Sequence, residues 1–481
     1  MASSDGAAAA PAAPAAPPTT QLGEFVQRQL GEGVLDLAAG QPGPSSLPLD
    51  KVAAAAAHRL GAPGADPLML QYGSVEGYRS FRVALADFLS EHYGHAVSPD
   101  ELLVTAGVSH GIDLACRQLA SPGDAILVER PTYFLLQPIV DQNHLVTVGV
   151  PTDAAGVDVD ALEALLARGE LRPRLLYTVP VHSNPRGAVL PLERRRRLIA
   201  LAHAHGFDII ADEVYQLLTH PGAPPPPPPM RAVERAMAEA GELPPPLEGG
   251  RGGAPPAATS SSGGGAAGGG AAGGAAGGAA PEAPPPSRVV SLGSWSKMLA
   301  PGLRLGWAEA CAPTLQRLKS CGVLISGGCI APLSAAVAHS ALELGLLRAH
   351  LTSHVRPVLG ERCAALCAGI DADLAPLGCS YQRPGGGYFV WLELPPEVDS
   401  RDLLELASAR HAVRFAPGPA CLGRANEARL AFSFYTPEEL RLGVRRLAAA
   451  LRELLARQEA SGGPGGGGSS GVSASSGGGG S

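Results

Sequence analysis

The residues with the clearest chemistry lie in residues 291–307, where the sequence is SLGSWSKMLAPGLRLGW. Lys297 follows a short apolar run, and Arg304 follows a Pro-Gly turn. In a partly desolvated pocket the pKa of a lysine falls, and its neutral amine can attack an aldehyde. Ser294, Ser296 and Arg304 are suited to a phosphate group, because arginine presents a fixed fork of donors. The segment predicts a site for a phosphorylated aldehyde; a surface lysine beside a serine-rich turn is the alternative.

Pyridoxal phosphate is the obvious aldehyde of this kind, and its ring needs further partners. The ring nitrogen withdraws electrons only while protonated, which requires a buried carboxylate beside it. Asp212 is the candidate because it ends an apolar strand, although it could instead cap the next helix. Asn184 and Tyr215 follow neighbouring predicted strands, so their side chains are expected together near the ring oxygen. An Asn-Pro pair alone is an ordinary turn.

Three further groups complete the predicted site. Gly107, Val108 and Ser109 join a strand to a helix, whose first N–H groups and dipole favour phosphate. Tyr133 follows the next strand and is suited to stacking on a flat ring, although it could simply pack a loop. Arg429 enters an apolar strand, where an unpaired charge is costly. A substrate carboxylate would pair with it, and an internal salt bridge is the alternative.

Short apolar strands alternate with helices through the first two thirds of the chain. This order predicts an α/β fold whose mostly parallel sheet is covered by helices on both faces, with the chemistry at the carboxyl ends of the strands. A smaller α/β unit is predicted in the carboxyl third. The predicted strands of the large sheet are 102–105, 125–128, 145–150, 175–179, 209–212 and 289–292, and those of the smaller unit are 387–394, 412–415 and 428–434.

Composition divides the chain further. Residues 1–20 are rich in Ala and Pro, residues 220–286 contain a proline run and a Gly/Ala repeat, and residues 459–481 are rich in Gly and Ser. Such segments bury too little apolar area to offset their ordering entropy, so a disordered leader, insertion and tail are predicted. Helix-forming composition predicts one short helix at 230–240. The remaining predicted parts are an amino-terminal segment 21–64 that joins the small domain, a large domain 65–330 and a small domain 331–458.

Charge and cysteine content limit the class of protein. The sequence has 37 Lys+Arg and 44 Asp+Glu, and 37 − 44 gives a net charge of −7. This acidity argues against nucleic acid as a partner. No apolar stretch approaches the roughly 20 residues of a membrane span. The eight cysteines are scattered, without Cys-x-x-Cys pairs or a secretory signal, which favours reduced thiols and a cytoplasmic location. Import into an organelle stays open.

Three motifs occur in a fixed order: Asn-Pro-x-Gly from Asn184, Asp-Glu-x-Tyr from Asp212, and Ser-x-Ser-Lys-x-x-x-Pro-Gly-x-Arg-x-Gly-Trp from Ser294. Together they resemble the class I/II pyridoxal phosphate-dependent aminotransferases of fold type I. The chain is most similar to the branch that contains 2-aminoadipate and kynurenine aminotransferases. The resemblance covers residues 33–457 apart from 220–286.

The resemblance implies a role for each candidate residue. By this resemblance Lys297 forms the covalent bond to the cofactor, Asp212 faces the ring nitrogen, and Asn184 and Tyr215 face the ring oxygen. The phosphate is held by Ser294, Arg304 and the amides of 107–109, and Tyr133 stacks on the ring. The substrate carboxylate is bound by Gly40 and Arg429. Tyr72 would reach the phosphate of a neighbouring subunit, which implies a homodimer with shared active sites. Arg186 and Cys421 depart from the family pattern and are expected to affect substrate fit.

The expected activity is transfer of an amino group from an amino acid to a 2-oxo acid such as 2-oxoglutarate. The donor is expected to be of the 2-aminoadipate, aromatic or aliphatic type, and Arg28 is a candidate to bind the second carboxylate of a dicarboxylic donor. A pyridoxal phosphate-dependent lyase or an aminocyclopropane-carboxylate-synthase-like enzyme would share nearly all these residues. An effector-sensing regulator would need a helix-turn-helix module in front of the domain, where only about 20 disordered residues are predicted.

Overall fold

The computed structural model describes residues 33–247 and 287–461. None of the helices in these residues is long and apolar enough to cross a membrane. The strands are β1 Leu35–Asp36, β2 Leu102–Thr105, β3 Ala125–Arg130, β4 Val146–Asp153, β5 Gly156–Val157, β6 Pro173–Thr178, β7 Asp208–Asp212, β8 Val289–Ser294, β9 Gly306–Glu309, β10 Ser380–Tyr381, β11 Phe389–Glu393, β12 Val413–Arg414, β13 Ala416–Pro417 and β14 Glu427–Ala431.

Helices connect most of these strands. They are α1 Leu49–Leu60, α2 Arg79–Tyr93, α3 Val108–Leu119, α4 Gln137–Gln142, α5 Val159–Ala167, α6 Leu192–His205, α7 Met230–Glu239, α8 Ala312–Lys319, α9 Gly322–Gly327, α10 Pro332–Glu343, α11 Leu346–His350, α12 Arg356–Gly369, α13 Ser400–Arg410 and α14 Pro437–Ser461.

The large sheet has eight strands in the order β2-β9-β8-β7-β6-β3-β4-β5. Strands β4, β3, β6, β7 and β8 run parallel to one another, whereas β9 is antiparallel to both β8 and β2. The predicted α/β fold with a mostly parallel sheet is therefore confirmed. Because β6 and β7 are adjacent and parallel, the loops that follow them lie side by side at one edge of the sheet.

Successive residues of the central strands face opposite sides of the sheet, as strand geometry requires. Leu176 and Ile209 pack in the core beneath α5, α6 and α7, whereas Tyr177 and Ile210 pack in the larger core on the other side. Tyr177 pairs in register with Ile210, two residues before Asp212. This register brings the Tyr177 side chain to the same face as the Asp212 carboxylate.

The smaller sheet is antiparallel, in the order β10-β11-β14-β13. Trp391 of β11 lies opposite Arg429 of β14. Helices α12, α13 and α14 pack around this unit, and β1 joins it by pairing in parallel with β12. The chain just after β1 therefore lies between the small sheet and the carboxyl edge of the large one.

The predicted disordered insertion at 220–286 is wrong for residues 220–247, which belong to the folded structure. Met230 of α7 is buried, and its backbone N donates to Glu213 Oε1 at 2.8 Å. The backbone N of Leu247 donates to Ala204 O at 2.9 Å. Residues 248–286, the leader with residues 21–32, and the tail from 462 lie outside the described residues.

Glu234 is the central anchor of α7. Its side chain is only 1% exposed and accepts hydrogen bonds from His203 Nε2 at 2.9 Å, Arg231 Nη1 at 3.0 Å and the backbone N of Arg288 at 2.6 Å. The carboxylate thus joins α6, α7 and the start of β8.

Glu234→Ala should therefore lower the free energy of unfolding by about 3 kcal/mol, because it leaves buried charged partners unpaired. Denaturant unfolding measures this change. Glu239→Ala is the matched control, since Glu239 is exposed at the end of the same helix. Equal stability of the two variants would contradict the anchoring role.

Candidate active site

A cavity of about 510 Å³ lies at the carboxyl ends of β6 and β7, between the large sheet and residues of the small unit. Twelve of the fourteen predicted site residues line it. They are Gly40, Val108, Ser109, Tyr133, Asn184, Asp212, Tyr215, Ser294, Ser296, Lys297, Arg304 and Arg429. Of the other two, Gly107 lies behind Arg304 and Tyr72 lies outside the cavity. Residues far apart in the sequence are thus brought to one site.

Lys297 is one of three lysines in the chain, and it alone lines the cavity. The other two, Lys51 and Lys319, form ion pairs with Asp50 and Glu76 at 3.3 and 2.6 Å. Lys297 Nζ donates to Gly40 O at 2.9 Å. The pKa of Lys297 is lowered to about 8, mainly by burial, which the Asp212 charge opposes and the charges of Arg429 and Arg304 reinforce. The amine therefore has a substantial neutral fraction near neutral pH.

The pKa of Lys297 predicts how the cofactor-free protein reacts with amine reagents. Because the neutral amine is the reactive form, labelling of Lys297 should rise with pH to a plateau with a midpoint near 8, whereas an ordinary lysine titrates near 10.5. Site-resolved mass spectrometry after brief labelling measures this rate. A midpoint for Lys297 near 10.5 would contradict the burial argument.

Asp212 is buried at the end of β7 and has one satisfied oxygen. Tyr177 donates its hydroxyl to Asp212 Oδ2 at 2.7 Å. Oδ1 accepts no hydrogen bond from the described residues, although it is buried. Burial raises the pKa of Asp212 to about 6, whereas the bond from Tyr177, the backbone N–H of Val214 and the charge of Lys297 oppose the rise. A buried oxygen without a donor at the floor of a cavity is suited to a ligand N–H group.

Arg429 is fully buried and is fixed from several sides. Its Nη1 donates to Asn184 Oδ1 and its Nη2 to Ala38 O, both at 2.8 Å. The guanidinium carbon lies 5.0 Å from the ring centroid of Phe134 and 4.3 Å from that of Phe389. Arg429 makes no ion pair with any residue from 33–247 or 287–461, so the predicted alternative of an internal salt bridge is not found there. Its charge is available to an anionic ligand.

The other end of the cavity has the features of a phosphate site. Gly107 has φ 85° and precedes α3, so Val108 and Ser109 present the first N–H groups of that helix. A Cβ on Gly107 would lie 3.2 Å from Arg304 Nη2, which explains the glycine. Arg304 Nη2 donates to Ala106 O at 3.2 Å, and Ser294 Oγ accepts from the backbone N of Ser296 at 3.1 Å. Donors from three chain segments therefore converge.

The aromatic residues have distinct positions. Tyr133 lines the cavity, and Tyr215 packs against the rings of Tyr388 and Phe389 at 5.5 and 6.2 Å between centroids. Burial raises the pKa of Tyr215 well above its ordinary value, so this hydroxyl stays protonated and can donate. Tyr72 is 81% exposed and does not line the cavity of this chain.

Arg186 and Cys421, which were expected to affect substrate fit, do not line the cavity. Arg186 instead faces Glu427 at 3.5 Å, and Cys421 is buried. Sequence reasoning also missed residues that do line it, above all Asp36, Tyr177 and Phe389. A usable signal existed for Asp36, which is a charged residue between two leucines.

The features above together fit pyridoxal phosphate. The cavity holds a buried lysine of lowered pKa, a buried carboxylate with an unsatisfied oxygen and a helix amino terminus beside an arginine. Fold and site thus define a fold type I pyridoxal phosphate enzyme.

Comparison with known proteins identifies the family. Residues 32–237 match the family model for aminotransferase class I and II. The chain is 30% identical to 2-aminoadipate transaminase of Thermus thermophilus, over 88% of this chain and 91% of that protein. It is 29% identical to aromatic-amino-acid aminotransferase 1 of Thermococcus litoralis, over 87% and 88%. The crystal structure of LysN, the α-aminoadipate aminotransferase of Thermus thermophilus, in complex with N-(5'-phosphopyridoxyl)-L-leucine, has 30% identity and a TM-score of 0.69, covering 88% of this chain and 94% of LysN.

The chain belongs to the class I and II aminotransferase family. It is a pyridoxal phosphate-dependent aminotransferase with amino acid and 2-oxo acid substrates. These relatives support transamination rather than the lyase or cyclising alternative.

Proposed function

We propose that the cavity residues hold pyridoxal phosphate in the roles that their chemistry suggests. When bound, the cofactor supplies an aldehyde carbon and a protonated ring that withdraws electrons from the substrate. Lys297 would bond to the aldehyde and Asp212 Oδ1 would accept the ring N–H. Asn184 and Tyr215 would donate to the ring oxygen, and Tyr133 would stack on the ring. The single observation that carries this proposal is the lysine of lowered pKa in the same cavity as the unsatisfied Asp212 oxygen.

The phosphate would be held at the opposite end by Ser294, Ser296, Arg304 and the amides of residues 107–109. Gly40 would lie on the side of the cavity that binds the substrate. Its backbone packs against Phe389 there, with no space for a side chain.

The same residues can carry out the proton transfers. Arg429 holds the donor's carboxylate in a bidentate pair, which fixes the Cα–H bond relative to Lys297. Lys297 Nζ, as a free neutral amine, would accept the proton from Cα and would then donate it to the carbon that the cofactor aldehyde supplies. The lowered pKa of Lys297 matches it to this exchange near neutral pH.

The donor is proposed to be an amino acid with a large apolar or aromatic side chain, and the acceptor a 2-oxo acid such as 2-oxoglutarate. The remaining cavity wall contains Phe134, Leu135, Phe389 and Phe434. Among the described lining residues the cations are Lys297, Arg304 and Arg429, which the proposal assigns to the cofactor and to the α-carboxylate. A second carboxylate, such as that of 2-oxoglutarate, would therefore need a cation from outside this set. Arg28, the candidate for that task, lies outside the described residues.

A panel of donors tests this proposal. Phenylalanine, tyrosine, leucine and 2-aminoadipate are added one at a time to the holoenzyme, and the visible absorbance of the bound cofactor is followed. An effective donor removes the absorbance, and 2-oxoglutarate restores it with stoichiometric formation of glutamate. Turnover of 2-aminoadipate without turnover of any apolar donor would contradict the proposed donor class.

The division of the chain into a large domain 65–330 and a small domain 331–458, with the joining segment 21–64, is also part of the proposal.

We further propose that two copies of the chain form a homodimer. Leu68, Leu70, Val323 and Ile325 are each at least 65% exposed, and Tyr72 lies beside them. These segments adjoin, because Cys329 N donates to Gly73 O at 3.2 Å. Burying such side chains contributes about 1.5–3 kcal/mol each. Light scattering should give twice the chain mass, and a monomer at micromolar concentration would contradict the dimer.

A further inference from the structure

The proline run, residues 224–229, has no role in the proposed function. Its six consecutive prolines lie just before α7 and form neither helix nor strand of the usual kinds. The proline ring fixes φ at about −65°, and each proline keeps the residue before it extended, so such a run adopts the polyproline II helix. Pro229, the last residue of the run, has φ −49° and ψ 152°, close to that conformation.

The exposure of the proline run follows the period of a polyproline II helix, which has about three residues per turn. Pro225 and Pro228, three residues apart on one face, are both exposed. Pro226 and Pro229, on the next face, are half-buried and buried. The third face is intermediate, with one exposed and one half-buried proline. The run therefore packs one face against the protein and presents a face with two proline rings to solvent.

Side chains of the large domain hold the run in this orientation. Gln216 Nε2 donates to Pro227 O at 2.9 Å, and the buried Arg195 donates from Nη1 to Pro228 O at 2.7 Å. The buried Met230, directly after the run, anchors its carboxyl end. The run is thus already ordered in the free protein, and this lowers the entropy cost of binding a partner.

The hydrogen-bonding groups of the run restrict the kind of partner. Proline has no backbone N–H, so the run offers acceptors and no donors. The carbonyls of Pro224, Pro225 and Pro226 accept no hydrogen bond from residues 33–247 or 287–461. A β-strand cannot pair with the run, because strand pairing needs N–H groups from both strands. A partner must present apolar surfaces to the rings and N–H or O–H donors to the carbonyls, as tryptophan and tyrosine side chains do.

We propose that the proline run is a docking site for a protein domain whose binding groove is lined by aromatic side chains, with Pro225 and Pro228 seated in that groove. Grooves of this kind occur in SH3, WW and EVH1 domains, which bind preformed polyproline II segments. No residue of the run lines the active-site cavity, so docking needs neither cofactor nor substrate. The interaction is therefore a property of this chain separate from transamination.

Isotope-labelled SH3, WW and EVH1 domains are the probes, and each is titrated with unlabelled full-length holoenzyme. The NMR signals of the groove aromatic residues should shift or broaden in at least one domain, and a synthetic hexaproline peptide should compete with the holoenzyme. The double variant Pro225→Ala/Pro228→Ala should weaken this binding by about 10-fold or more, the scale for loss of central contacts in an interface. Pro225→Ala alone should cause a smaller loss.

The double variant Pro63→Ala/Pro396→Ala is the matched control, because both prolines are exposed and lie outside the run. It should bind the probe as wild type does, and unfolding midpoints establish that each variant is folded. Failure of all three domains to bind would overturn the proposal. Binding that persists in the Pro225 and Pro228 variants, or an equal loss in the control, would overturn it as well, because the contact would then not depend on the exposed face of the run.

Discussion

Replacement of Lys297 by alanine should reduce turnover of every amino donor by about 10⁴-fold, the upper range for loss of a positioned acid–base group. The residue supplies the only amine in the described cavity, and no other side chain lining it can both bond to an aldehyde and move a proton at Cα. Steady-state assays with saturating cofactor, followed by single-turnover measurements, give the size of the loss. Retention of wild-type turnover would contradict the assigned role.

Lys51→Ala is the matched control for that prediction. Lys51 pairs with Asp50 on the surface of α1 and does not line the cavity. Its replacement should leave turnover within about twofold of wild type, because exposed ion pairs contribute little. A large loss in this control would show that lysine replacements act through stability, and unfolding midpoints of both variants separate that effect from chemistry.

Asp212→Asn should reduce kcat by about 10²- to 10³-fold, as expected when one preorganised charged partner is lost from a buried site. The amide has nearly the same shape but cannot keep a ring nitrogen protonated. Tyr177→Phe should produce a smaller loss, because the tyrosine hydroxyl stabilises the charged carboxylate and its removal raises the pKa of Asp212. Both effects are measured as kcat with a single good donor.

Asp208→Asn provides the comparison at the other end of β7. Asp208 is buried and pairs with Arg288 at 3.3 Å, far from the cavity lining. It should therefore lower stability while leaving kcat of the folded enzyme close to wild type. Equal kcat losses in Asp212→Asn and Asp208→Asn would contradict a specific role for Asp212.

The elements that the sequence predicted well have local causes. Helix α6 has local boundary signals, because Pro191 precedes its first residue and Gly206, with φ 77°, terminates it. The strands of the large sheet are short runs of apolar residues that are buried on both faces, which is the pattern of a parallel sheet. Asp212 and Lys297 were found because each is a charged side chain at the end of such a strand or shortly after it.

The features that the sequence did not predict depend on contacts between distant residues. Tyr177 and Asp212 are 35 residues apart and meet only through the register of β6 and β7. Phe389 reaches Arg429 because β11 pairs with β14. For residues 220–247, disorder was predicted from the average composition, which the proline run dominates. Composition does not show which residues contact one another, so it could not reveal the partners of Glu234 that hold α7 in place.

The most direct test of the central claim is to treat the holoenzyme with borohydride, digest it with trypsin and weigh the peptides. Reduction fixes the cofactor to the lysine that carries it and blocks cleavage there, so the account predicts a peptide of residues 289–304 that retains Lys297 and one cofactor mass. Unmodified peptides at Lys51 and Lys319 serve as internal controls. Recovery of unmodified 289–297, with the cofactor on another lysine or on none, would contradict the account.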